Sequence, residues 1–173
     1  MSLTNTITMY APLLKRGIFV TVNPSLEFIE FISISEEDAQ NFGKLAGSYA
    51  IIQVEDNILF AFNRFRKRWE LPAGRPEMNE TPKECAIREL YEETGQRIEN
   101  LVFKGLAKIL NLDTQHIKYN PIYFCKVDQL TDFIPNDEME KITLWDLTSD
   151  IGPVDQVDLQ IWKALKNVLL HHA

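Results

Sequence analysis

Apolar and polar positions repeat with two different periods along this chain, and the switches between them mark out the elements. Residues 18–22 and 26–34 are rich in β-branched and aromatic side chains around Asn23-Pro24-Ser25, which predicts a β-hairpin. Ser35 ahead of Glu36-Glu37-Asp38 predicts a short helix ending near Gly47. The apolar run 48–54 predicts a central strand, which Asp56-Asn57 turns into a second at 58–63, with a brief third at 69–71. Further strands are expected at 98–110, 117–127 and 141–147. A last helix opens at Asp155, because Ile161, Trp162, Leu165, Val168 and Leu169 recur at helical spacing. Residues 4–16 have no clear period and read as an irregular arm.

The clearest element is the helix expected over 82–94. Thr81, Pro82 and Glu84 form a capping box with proline at the first helical position, and Gly95 is the matching stop. A period of 3.6 residues turns Ala86, Ile87, Leu90 and Thr94 toward a core and gathers Glu89, Glu92 and Glu93 on another face. Carboxylates three and four residues apart repel one another, so a positive partner is needed. A hard divalent cation such as Mg2+ or Mn2+ suits oxygen ligands; a solvated acidic face is the plain alternative. Just upstream, the Pro72-Ala73-Gly74 turn lets a backbone carbonyl face a ligand.

The spacing is more specific than the acidity. Gly74, then Glu80, then Arg88-Glu89-Leu90-Tyr91-Glu92-Glu93-Thr94-Gly95-Gln96 resembles the Nudix box and departs from it only at the final aliphatic position, where Gln96 stands. Chance coincidence of so many fixed residue types is remote. The resemblance covers residues 48–172 and implies an α/β fold, a Nudix-type α/β/α sandwich with a mixed central sheet. With the added N-terminal β-hairpin, the expected division is 1–47 for arm, hairpin and short helix, and 48–173 for the Nudix domain.

The same resemblance implies metal-dependent hydrolysis of a nucleoside diphosphate linked to another moiety. The metal ligands are then Glu89, Glu92, Glu93 and the carbonyl of Ala73, with Arg88 orienting the glutamates and Glu80 supporting the loop or a metal-bound water. A glutamate beyond the box often serves such enzymes, which makes Glu138 and Glu140 candidates for further acid–base work beside a plain acidic loop. The hairpin and the Trp69-Glu70-Leu71-Pro72-Ala73-Gly74 lead-in look like the branch that cleaves ADP-ribose and nucleotide sugars. The proline which that branch tends to carry after the box is replaced by Asn111-Leu112-Asp113. A nucleoside triphosphate pyrophosphohydrolase that clears damaged nucleotides is the second reading, and a nucleotide-sensing Nudix module without turnover the third.

Composition narrows the partners. Within 173 residues the net charge is −7, and the only dense basic cluster is Arg64-Phe65-Arg66-Lys67-Arg68. That balance argues against a general nucleic-acid surface. Arg64, Arg66 and Arg68 are instead candidates to grip a substrate phosphate, against the alternative of a solvated loop. Two cysteines, Cys85 and Cys125, make no disulfide framework, no apolar run reaches membrane-spanning length, and no signal pattern opens the chain, so the cytoplasm is expected. Trp69 reads as a packing residue and His116 as a loop histidine. The hairpin's Phe28, Phe31 or Ile32 need cover, for which a second copy of the chain in a homodimer is the expectation.

Overall fold

The computed structural model describes residues 20–21 and 24–171. Its strands are β1 (Val20–Thr21), β2 (Leu26–Ile32), β3 (Ser48–Val54), β4 (Asn57–Asn63), β5 (Arg68–Glu70), β6 (Ala73–Gly74), β7 (Val102–Asn111), β8 (His116–Val127), β9 (Met139–Trp145) and β10 (Val154–Asp155). The helices are α1 (Glu36–Ala39), α2 (Pro82–Thr94) and α3 (Gln156–His171). One mixed sheet runs in the order β1-β10-β5-β4-β3-β8-β7-β2, with β6 paired to β3 and β9 to β4.

Strand β3 shows why the fold has layers on both sides. Its Ile51 joins a core with Trp162 and Leu165 of α3, whereas its neighbours Ala50 and Ile52 join a second core with Ala86 and Leu90 of α2. A strand buried on both faces reads as a continuous apolar run, as residues 48–54 do. Parallel pairing of β3 with β8 and antiparallel pairing with β6 then bring the Ala73–Gly74 turn against the start of β3, opposite Tyr49 and Ser48.

Among the described residues, the two strands of the N-terminal hairpin expected from the sequence do not pair with each other. β1 pairs in parallel with β10, and β2 pairs antiparallel with β7 at the other end of the sheet. The reason is edge cover: β7 is a ten-residue strand with a free side, and β2 satisfies that ladder. In doing so it packs Leu26, Phe28 and Phe31 against the α3 core, so the cover for these aromatics comes from within the chain. Residues 18, 19, 22 and 23 of the expected hairpin, and the arm 4–16, lie outside the described residues. Ser35 caps α1 as expected, accepting from the Asp38 N–H. The helical stretch stops at Gly43, with φ of 75°, and 44–47 instead run along β8, where the Ala46 N–H donates to Tyr119 O at 2.8 Å. Trp69 is a packing residue: its ring meets Phe62 edge-on and its Nε1 donates to Ile151 O at 2.6 Å. Among the described residues no helix is long and apolar enough to cross a membrane.

Candidate active site

The site is built on the phase of α2, and its caps fix that phase. The Thr81 hydroxyl accepts from the Glu84 N–H at 3.2 Å while Glu84 Oε2 accepts from the Thr81 N–H at 2.8 Å, and Gly95 closes the helix in the left-handed region. With Cys85, Ala86 and Leu90 fully buried, Glu89 and Glu93 are directed at the Ala73–Gly74 turn. A Cβ at Gly74 would collide with the Glu89 carboxylate, so only glycine allows the turn to lie this close.

Arg88 holds the acids in place. Its Nε and Nη2 form a fork on Glu80 at 2.7 and 2.9 Å, Nη1 reaches Glu89 at 2.7 Å and Glu92 at 3.1 Å, and Nη2 also donates to Arg75 O at 2.8 Å. The fork holds the Glu80 carboxyl below its usual range, and the surrounding carboxylates hold Arg88 firmly protonated. Glu89 lies above its usual range, because burial outweighs the pull of Arg88. Glu92 stays at the rim, its side chain 54% exposed.

Glu93 is the outlier. It is buried, and that burial pushes its carboxyl up to about 9, against the single N–H it accepts from Ala73 at 3.0 Å. The charges of Glu89, Glu138 and Glu70 push in the same direction as burial. Carboxylates therefore outnumber cations at this end of the helix, and the donor set is all oxygen, which fits a hard divalent cation. Among the described residues no three acidic, histidine or cysteine side chains already converge as a metal cage, since Glu89 and Glu92 are drawn onto Arg88.

A pocket of about 670 Å³ opens beside this cluster, a size that accommodates a nucleotide. Arg66 and Arg68 line it, but neither cation is free. Arg66 pairs with Glu70 at 2.7 Å, and Arg68 pairs with Glu70 at 2.7 Å and Asp155 at 2.8 Å. Arg64 is exposed and lies outside the lining; its backbone N–H donates to Glu138 O at 2.8 Å. Asp155 also caps α3 through the Val157 and Asp158 N–H groups, and Asp158 accepts from the Leu71 N–H at 2.8 Å. Burial raises both aspartates, Asp158 most strongly.

The family model for the NUDIX domain matches residues 45–166, well over half of the chain. The chain belongs to the Nudix family. A Lactococcus lactis subsp. cremoris protein named for DHNTP pyrophosphohydrolase activity is 33% identical over 84 residues, covering 49% of this chain and 48% of that protein. Bacillus subtilis YtkD, named for 8-oxo-dGTP diphosphatase activity, is 37% identical over 62 residues, or 36% of this chain and 38% of YtkD. The matched stretches thus span less than half the length of these curated relatives. Among solved structures, a mutant of the Bacillus subtilis pyrophosphohydrolase BsRppH superposes with a TM-score of 0.62 at 20% identity, over 86% of this chain and 91% of that one. The NUDIX domain of Shewanella oneidensis NrtR, solved with ADP ribose, gives 0.60 at 16% identity over 79% and 99%. At those identities the likeness is one of fold.

Against the Nudix pattern, Glu80, Arg88, Glu89, Glu92 and Glu93 come together around the Ala73–Gly74 turn. Of the two later acids, Glu138 is brought to the cluster: Asn63 Nδ2 donates to its Oε1 at 3.0 Å, and its charge acts on Glu93. Both Glu138 and Glu140 are exposed and outside the pocket lining, and Glu140 lies on β9. At the departure from the pattern, Gln96 is buried and clamps the end of α2 to the following connection. Its Nε2 donates to Thr131 O at 2.9 Å, and its Oε1 accepts from the Thr131 N–H at 2.8 Å. Sequence reading missed Glu70, Asp158, Lys44 and Lys118 as pocket residues and took Asp155 only as a helix opener; none of them stands in a pattern that local spacing could flag.

Proposed function

We propose that the protein is a divalent-metal-dependent pyrophosphohydrolase of nucleotide-type substrates, with nucleoside triphosphates as the preferred class. The observation that carries the reading is the buried Glu93 carboxyl beside Glu89, where a cation is needed before the charged form becomes favourable. Glu89, Glu92, Glu93 and the Ala73 carbonyl are the groups assigned to hold Mg2+ or Mn2+. When bound, such an ion neutralises phosphate charge and makes a bound water easier to deprotonate. Glu93 must lose its proton for this role, and Arg88 must keep Glu89 oriented while yielding Glu92. Glu138, oriented by Asn63, is the candidate to accept a proton from the attacking water; a helix glutamate is the other.

The triphosphate preference rests on charge. The basic run that would have gripped a second phosphate-bearing moiety is largely neutralised, Arg68 by two carboxylates and Arg66 by one. The names of the matched relatives, DHNTP pyrophosphohydrolase and 8-oxo-dGTP diphosphatase, point the same way. Cleavage of ADP-ribose or a nucleotide sugar is the second reading, favoured by the Arg66 side chain, 56% exposed at the pocket. Incubation with Mg2+ or Mn2+ and a panel of nucleoside triphosphates, ADP-ribose, nucleotide sugars and dinucleoside polyphosphates tests both. Pyrophosphate released from a triphosphate is the expected result. Two monophosphates from ADP-ribose, with triphosphates untouched, would reverse the preference, and binding without cleavage of any member would refute the enzyme reading.

A further inference from the structure

Two segments far apart in sequence, 42–47 and 118–120, bring Lys44, Ala46, Gly47, Lys118 and Asn120 to the pocket lining. The Phe42 ring packs edge-on against Tyr119 with centroids 4.9 Å apart, the Ala46 N–H donates to Tyr119 O at 2.8 Å, and Asn120 Nδ2 donates to Gly47 O at 2.6 Å. Because a backbone carbonyl only accepts, the last contact also fixes which way the Asn120 amide is turned. This part of the lining is pressed against the metal-loop turn: a Cβ at Gly47 would collide with the Gly74 carbonyl oxygen. At Gly47 it therefore lies directly against the Ala73–Gly74 turn.

Lys44 and Lys118 belong to these segments and line the pocket. Both are exposed, and among the described residues neither has an ion-pair partner, in contrast to Arg66 and Arg68. The same pocket is lined by the acids Glu70, Glu93, Asp155 and Asp158. A ligand filling such a pocket therefore meets both carboxylates and two unpaired cations. A divalent ion offsets only part of the charge of a polyphosphate, and the remainder requires cations without carboxylate partners of their own.

Resting on the triphosphate reading above, we infer that Lys44 and Lys118 clamp the terminal phosphates of the substrate and set the preference for three phosphates over two. The clamp acts by binding and takes no part in the proton chemistry, so its loss is read mainly in KM.

The test compares wild type, the double variant Lys44→Ala/Lys118→Ala and the double variant Lys44→Arg/Lys118→Arg. Steady-state kinetics are measured on a nucleoside triphosphate and its diphosphate, and binding of inorganic tripolyphosphate with Mg2+ by calorimetry. Both lysines are exposed, so the fold tolerates either replacement. For the alanine pair, KM for the triphosphate should rise about tenfold or more, the size of a lost charge-assisted contact, with kcat within about twofold. The diphosphate should be affected less, tripolyphosphate should bind about tenfold more weakly, and the arginine pair should restore most of both. Cleavage with KM unmoved, or tri- and diphosphate weakened equally, overturns the clamp and leaves the function reading intact. If wild type cleaves no triphosphate yet tripolyphosphate binding still depends on the lysines, the clamp stands and the triphosphate reading falls; if that binding is independent of them, the clamp falls too.

Discussion

Replacing Glu93 by glutamine should stabilise the metal-free protein while abolishing turnover. The carboxyl has a value of about 9 in the fold and 4.5 when unperturbed. Below the lower value both states are protonated and stability does not respond to this group. Between the two values the native state keeps a proton that the unfolded chain has lost, so stability falls as pH rises. At pH 8 that difference has a ceiling of about 5 kcal/mol at 1.36 kcal/mol per pH unit, and relaxation around a buried charge brings the working figure to about 2–4 kcal/mol. Glutamine is nearly isosteric, stays neutral and can still accept from the Ala73 N–H through its oxygen. Melting curves in a chelator at pH 5 and pH 8 should therefore nearly coincide at the lower pH. At the higher pH the variant should melt roughly 5–15 °C above wild type for a chain of this size. Turnover with Mg2+ should drop at least about a hundredfold. An unchanged or lower melting point at pH 8 would refute the burial argument, and wild-type turnover would refute the site.

Arg88→Ala leaves Glu80 and Glu89 facing each other without their cation and should cost about 2–4 kcal/mol in chelator, with part of the loss recovered on adding Mg2+ in urea titrations. Gly74→Ala drives a methyl group into the Glu89 carboxylate; kcat/KM should fall about a hundredfold or more while the far-UV spectrum is retained. Gln96→Leu restores the aliphatic type of the Nudix pattern but strips Thr131 of its partners. It should destabilise by about 1–3 kcal/mol, and faster amide exchange at Thr131 is the direct check.

The parts legible in the sequence are those whose causes are local. Thr81, Pro82, Glu84 and Gly95 specify α2 within a span of fifteen residues, and the two-sided burial of β3 follows from its unbroken apolar run. What was lost depends on partners far along the chain. β2 is a strand by composition, yet nothing near residue 26 says that its ladder is β7 and not β1. The run Arg64 to Arg68 looks like a free cationic grip until Asp155, close to ninety positions on, is found against Arg68. Glu138 is one acid among several in its connection, and only Asn63 on β4 singles it out.

These long-range partners divide the charges of the pocket into two kinds. Arg88, Arg66 and Arg68 are each matched to carboxylates in the protein itself, so their charge is spent on holding acids in place. Glu93 has no cation, and Lys44 and Lys118 have no anion, among the described residues. A substrate that carried its own divalent ion would supply both missing partners at once: the ion for the buried carboxyl and the phosphates for the lysines. On the proposed reading, metal and polyphosphate arriving together would relieve the desolvated carboxyl and neutralise the two cations. Either one arriving alone would leave half of the imbalance standing, so the proposed site would favour their joint binding.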